Sequence, residues 1–187
     1  MPLESAQAWV WRHPKPEGAA GRCIGAGTDL PVQRRRAKRL ARRIQRFARR
    51  HRLPHVVCSS GLQRCADVGR WLRRWGWRHR IDPALAEMDF GRWDGRPWSE
   101  LSPADFEPWM LDFAGHAPGG AETLRQLLAR AAAWPVPAGG LLISHGGWML
   151  ARRWMEQEGG ERTPSAAEWP APPRYGECWA LQAGSLR

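Results

Sequence analysis

Short apolar runs alternate with longer segments of helical periodicity along most of the chain, and this alternation restricts the fold more than any other feature. Residues 8–12 (AWVWR), 55–58 (HVVC), 77–81, 141–144 (LLIS) and 177–182 read as short strands. Residues 34–52, 62–75, 103–113, 122–134 and 148–157 read as helices. Pro54 stops the first helix, and Ser102 and Pro103 supply a cap and a first position for the third. The stretches 14–31, 83–98, 118–120 and 159–173 are rich in Gly and Pro and read as loops or irregular structure. Strands alternating with helices predict an α/β fold with a mostly parallel sheet. No internal repeat or linker interrupts the 187 residues, which suit a single domain over 1–187 with its own core.

Apolar residues are 43% of the chain and charged residues 25%, a globular rather than a disordered composition. The apolar runs are too short to span a membrane, and residues 1–7 lack the charged start and apolar stretch of a signal peptide. Cys23, Cys58, Cys65 and Cys178 show no CxxC spacing, so reduced thiols in a cytoplasmic protein are expected, not a disulfide frame or a zinc site. The net charge is +11, and all of it sits in one place: residues 34–52 hold eleven Lys/Arg and no acid, and the remainder balances at 18 against 18. Ala37, Leu40, Ala41, Ile44, Phe47 and Ala48 recur there at helical spacing. The simpler reading is a surface helix whose apolar stripe packs on the sheet. The alternative is a site for nucleic acid or another polyanion. It carries less weight, because Phe47 is the one aromatic residue among the arginines and it lies on the stripe.

Two histidines occupy equivalent places. His13 follows the first strand and His145 the strand at 141–144. Ligands of open parallel sheets bind at the carboxyl ends of the strands. Arg12 abuts His13, and Arg64 follows the second strand just beyond Ser59-Ser60. Two imidazoles and two guanidiniums converging on one sheet edge would make a pocket suited to a phosphate group. Each residue alone is weak evidence; their combination and order carry the signal.

In that order the chain resembles the histidine phosphatase superfamily, also called phosphoglycerate-mutase-like. The opening Arg-His-Gly corresponds to Arg12-His13-Pro14, and Ser-Ser-Pro-Leu-x-Arg to Ser59-Ser60-Gly61-Leu62-Gln63-Arg64. A third block, Leu-x-Glu-x-x-Phe-Gly-x-Trp-Glu-Gly, is similar to residues 85–95 (LAEMDFGRWDG). Pro-Gly-Gly-Glu-Ser resembles residues 118–123 with one extra residue, and the closing Ser-His-Gly-Gly stands at Ser144-His145-Gly146-Gly147. The resemblance implies a three-layer sandwich, a mostly parallel central sheet flanked by helices. Residues 21–31 (GRCIGAGTDLP) further resemble α-ribazole-phosphatase-like members, which remove phosphate from α-ribazole 5′-phosphate during cobalamin assembly. Relatives with similar motifs act on sugar phosphates, phosphoglycerates or phosphohistidine proteins.

The resemblance implies a phosphoric monoester hydrolase acting through phosphohistidine, with His13 as nucleophile, Glu87 as the proton donor and acceptor, and His145 as a catalytic partner. Arg12 and Arg64 would bind the phosphate, and Arg22 and Thr28, in the loop after His13, would touch substrate. No cofactor or metal is called for, since guanidinium and imidazole neutralise the phosphate. His51 and His55 are four apart, but Pro54 breaks the helix between them, so they form no zinc pair. The expected partner is a small phosphorylated substrate, not a membrane; no oligomeric state is assigned. The alternative is a polyanion-binding protein that uses the helix at 34–52 and has a degenerate phosphatase pocket. Pro14 in place of the usual glycine removes a backbone donor and fixes φ, and Val68-Gly69 replaces a Thr-Ala pair that helps line the family pocket.

Overall fold

The computed structural model describes residues 7–160 and 162–184; residues 1–6, over which most of the signal-peptide reading runs, lie outside them. Five strands form one sheet: β1 (Gln7–Arg12), β2 (Val56–Ser59), β3 (Arg78–Ile81), β4 (Leu141–Ser144) and β5 (Cys178–Gln182), in the order β3-β2-β4-β1-β5. All neighbours are parallel except β1 and β5, which run antiparallel. Five helices accompany them: α1 (Arg34–Arg50), α2 (Gln63–Arg74), α3 (Pro103–Leu111), α4 (Leu124–Ala133) and α5 (Gly146–Glu158). The expected α/β fold with a mostly parallel sheet and helices is what forms.

The layers follow from the two-residue period of the strands. Ala8, Val10 and Leu142 face one side and pack with Leu127, Leu128, Trp148 and Met149 of α4 and α5. Trp11, Val57, Leu141 and Ile143 face the other and pack with Leu40, Ile44, Val68 and Leu72 of α1 and α2. Each fully buried Leu or Ile contributes roughly 1.5–3 kcal/mol. The stripe on α1 behaves as read: Ala37, Leu40, Ala41, Ile44 and Ala48 are buried while its arginines face solvent. Phe47 packs edge-on against Trp9 and Trp11. Trp71 of α2, however, lies about 5 Å from the charged groups of Arg34, Lys38 and Arg74, an aromatic neighbour that α1 itself does not show.

Helix starts have local causes. Ser102 and Asp105 form a reciprocal capping box on α3, and Thr123 and Gln126 do the same on α4. Between β3 and α4, the segment 83–120 adds α3 and several single 3₁₀ turns over one end of the sheet. Cys23, Trp93 and Leu101 form a small core there, with Phe90, Phe106 and Trp109 against it. Gly119 (φ +69°) is needed in this segment, because a Cβ would fall 1.8 Å from the Phe90 carbonyl oxygen.

Candidate active site

The register of the two central strands builds the site. Arg12 pairs with Ser144 across β1 and β4. The next residue on each strand is a histidine, and parallel neighbours lie about 4.8 Å apart. The imidazole centroids of His13 and His145 are accordingly 4.9 Å apart, and both rings are buried. The His13 amide donates to the Ser144 carbonyl, which ties the two strand ends together.

His13 Nδ1 lies 2.7 Å from the Pro14 carbonyl oxygen. That oxygen only accepts, so Nδ1 carries the proton and the lone pair is on Nε2. Pro14 lacks an N–H but keeps the carbonyl that this bond needs, so the departure from glycine leaves the orientation of His13 intact. His145 Nδ1 accepts from Arg64 Nε at 3.2 Å, which places its proton on Nε2, 3.3 Å from Cys65 Sγ. The Cys65 thiol in turn donates to the Ser144 carbonyl.

Arg64 is fully buried, and its two terminal nitrogens donate to the carbonyls of Thr28 and Gly25. Asp94 holds that loop by accepting from the amides of Gly25 and Gly27. Arg64 thus joins the first loop to His145, and Thr28 enters through its main chain. Arg12 is arranged differently: Nη1 donates to the Pro173 carbonyl, the guanidinium lies 4.1 Å over the Tyr175 ring, and the buried Nε has no partner. Arg22 is not brought into this cluster. It is exposed and donates to the Gly95 carbonyl where residue 22 bridges Pro97, because the loop turns its side chain away from the strand end. Val68 is in the core and Gly69 lies against His79, so neither lines the site.

Glu87 reaches the site from the 83–120 segment. Its carboxylate accepts from the amides of Met88 and Gly147. The backbone that carries it is clamped by Arg130, which donates to the carbonyls of Ala84, Ala86 and Glu87 and pairs with Glu122; Glu122 also accepts from the Asp89 amide. Arg130 was invisible in a sequence with so many arginines. Tyr175, whose ring is 5.6 Å from that of His13, did carry a signal: it is the one tyrosine in the chain.

Gly147 has a steric role, since a Cβ there would lie 2.3 Å from Glu87 Oε1. Gly147→Ala should displace this carboxylate and lower kcat about 10- to 100-fold while leaving the circular dichroism spectrum and melting temperature nearly unchanged. Steady-state kinetics with p-nitrophenyl phosphate would show it; an unaltered kcat would remove Glu87 from the chemistry.

Burial, and then the charges of Arg64 and Arg12, hold His13 well below the usual imidazole range, although the Pro14 hydrogen bond works in the opposite direction. Burial does the same to His145, helped by His13 and the neighbouring arginines. Both rings are therefore neutral in the folded state at neutral pH. The unfolded chain takes up these protons near pH ~6.5 and the folded chain does not. This stability is fully present above that pH and is lost as pH falls toward the depressed folded values, at up to about 1.4 kcal/mol per pH unit and ring. Between about pH 6.5 and 5.5 the two rings should together cost about 2 kcal/mol and lower the melting temperature by roughly 6 °C. Calorimetry across that range tests this, and a midpoint that does not move would contradict it.

A cavity of about 380 Å³ is bordered on one side by Arg12, Glu87, Gly146 and Gly147; neither imidazole lines it, but Arg12 and Gly146 are the sequence neighbours of His13 and His145. Its remaining wall is apolar, with Phe90, Trp109, Phe113, Leu127, Leu150 and Trp169. A wider groove of about 540 Å³ runs along β2 and β3 near Trp134, but its lining includes none of Arg12, Glu87, Gly146 and Gly147.

A profile of the histidine phosphatase superfamily (branch 1) matches residues 8–156, and so covers both histidines, Glu87 and the two arginines. The chain belongs to this superfamily. No curated protein matches it. Among solved structures, this histidine phosphatase chain is similar to mycobacterial glucosyl-3-phosphoglycerate phosphatase, with 23% identity over 94% of this chain and 89% of that one and a TM-score of 0.72. It is also similar to phosphoglycerate mutase from Thermus thermophilus, with 26% identity over 97% and 99% of the two chains and a TM-score of 0.64. These likenesses establish the fold that the superfamily match implies. Among the described residues, no helix of this superfamily member is long and apolar enough to cross a membrane.

Proposed function

We propose that the chain is a phosphomonoesterase that works through a phosphohistidine on His13 and takes an organic half that is apolar and aromatic, with α-ribazole 5′-phosphate as the best candidate. The observation that carries the reaction is the fixed tautomer of His13, with Nδ1–H held by Pro14 and Nε2 free to attack. In the first step Nε2 forms a bond to phosphorus as the P–O ester bond breaks, and Glu87 gives its proton to the departing oxygen. The positive charge on the imidazole is shared with the Pro14 carbonyl through Nδ1–H. Arg12 Nε, buried and unpartnered, is the donor best placed for an equatorial phosphate oxygen. Arg64 orients His145 and adds positive charge. Each such preorganised donor is worth roughly 3 kcal/mol in rate. In the second step Glu87 takes a proton from water as its oxygen attacks phosphorus, the P–N bond breaks, and the electron pair returns to Nε2.

The cavity supports the choice of organic half. A glycerate or sugar would press hydroxyl and carboxylate groups against Phe113, Leu150 and Trp169, at roughly 1–3 kcal/mol for each polar group left without a partner. A flat bicyclic base would bury apolar surface there instead, at about 25 cal/mol per Å². The test is a screen of phosphomonoesters that includes α-ribazole 5′-phosphate, glucosyl-3-phosphoglycerate and phosphoglycerates. The largest kcat/KM should fall on the substrate with the aromatic base. A preference for the phosphoglycerates would sink the substrate assignment and leave the reaction class standing.

A further inference from the structure

A second concave feature begins just past His13, at Pro14 and Lys15. Lys15, Arg36, Arg39, Arg43 and Tyr175 border a dent of about 300 Å³. Arg36, Arg39 and Arg43 fall on one stripe of α1, while Lys15 comes from the loop just past His13. Arg43 Nη1 is directed toward Gly176, where a Cβ would meet it at 3.1 Å. Among the described residues, none of the four cations lies within ion-pair distance of a carboxylate; the ion pairs of the molecule use other arginines. Glu177, which follows Gly176, accepts instead from the Arg174 amide and Trp179 Nε1, and Glu17, two residues after Lys15, forms no ion pair with these cations among the described residues. Four like charges around one concavity repel one another, so the arrangement favours an anion between them.

We propose that this dent binds a phosphoanhydride chain, either inorganic tripolyphosphate or the triphosphate of a nucleotide. Four cations match the four to five negative charges of such a chain. The stripe from Arg36 to Arg43 extends about 10 Å along α1, too long for a single tetrahedral anion to bridge. The site is separate from the reaction centre, with Tyr175 as the wall between them: one side borders the dent and its ring also lies beside Arg12 and His13. It does not depend on the phosphomonoesterase assignment.

Isothermal titration of the full chain with tripolyphosphate and with ATP tests the site against two variants of equal charge. Arg36→Gln/Arg39→Gln/Arg43→Gln empties the dent of arginine. Arg35→Gln/Arg46→Gln/Arg50→Gln removes three exposed charges from the same helix outside the dent. One chain should bind one tripolyphosphate, at least tenfold more weakly in the first variant and less than threefold more weakly in the second. ATP binding as tightly as tripolyphosphate would identify a nucleotide ligand, and much weaker ATP binding would identify the inorganic chain; both support the site. Equal losses in the two variants would mean diffuse charge and overturn it. So would the absence of saturable tripolyphosphate binding, whether or not a 20-nucleotide single strand is retained along α1; retention would assign the helix to nucleic acid instead.

Discussion

His13→Ala should abolish phosphomonoester turnover, with kcat falling at least about a thousandfold. The size of the effect follows from what the ring supplies. In the proposed reaction its Nε2 is the atom that bonds to phosphorus, and the neighbouring imidazole is not free to replace it: His145 has Nδ1 occupied by Arg64 and Nε2 turned toward Cys65. Without the nucleophile, water must attack the ester directly, and only Arg12, Arg64 and the fixed geometry remain to lower the barrier. The folded state should survive, since the hydrogen bond lost with the ring goes to the carbonyl of the adjacent Pro14 and fastens no distant segment. Two measurements check the account. Acid-labile, base-stable phosphate from a 32P-labelled substrate should appear on the wild type and be missing from the variant. Turnover that persists unchanged in His13→Ala would rule out the proposed intermediate.

Arg152→Met should produce the largest loss of stability of any single change outside the site. Arg152 is completely buried, and its guanidinium donates to five main-chain carbonyls: Ala131, Ala132 and Trp134 at the end of α4, and Gln182 and Gly184 at the end of β5. Its Nε pairs with Glu156, which also accepts from the Gln182 amide. The last carbonyls of a helix have no partner within the helix, and here one cation satisfies them and fastens β5 to α4 and α5 at the same time. Methionine fills a similar space but leaves those oxygens and the Glu156 charge uncompensated. The expected loss is about 4 kcal/mol, or roughly 12 °C in melting temperature for a chain of this size. Urea unfolding would measure the first and calorimetry the second. At 25 °C the surviving folded protein should keep its kcat within about twofold, because the hydrogen bonds of Arg152 go to residues 131, 132, 134, 182 and 184 and to Glu156, and to none of the site residues. A loss below about 1 kcal/mol would show that water replaces the lost donors.

Which parts were legible in the sequence has a physical explanation. The strand at Leu141–Ser144 was read with its observed limits, because it is apolar on both faces and closed by Gly140 and His145. Helix α5 begins at Gly146, two residues before its periodicity suggested, because glycine weakens the helical signal; the glycines are there to admit Arg12 and Glu87. Thr123, the last residue of the 118–123 block, accepts from the Gln126 amide and so serves as the cap of α4. His13, His145 and Arg64 could be brought together on paper because each follows a strand, and parallel strands align their ends. Arg22 could not be placed, since the direction of a loop side chain leaves no trace in motif spacing. Arg130 and Arg152 each act on main-chain carbonyls from several segments, a role that depends on tertiary packing. The same holds for Trp71, which α2 delivers to the charged surface of α1.

The position of β1 in the sheet bears on how the fold comes into being. Both neighbours of β1, β4 and β5, are encoded far downstream. During synthesis β1 therefore has no partner in the sheet until residues 141–144 have emerged. His13 is made well before His145, and the two meet only after a long loop closes, the kind of contact that slows folding. A precursor without β4 in place cannot bring the two imidazoles together, so under the proposed mechanism the ability to accept phosphate would arrive with the assembly of the sheet and would serve as a chemical marker of its completion.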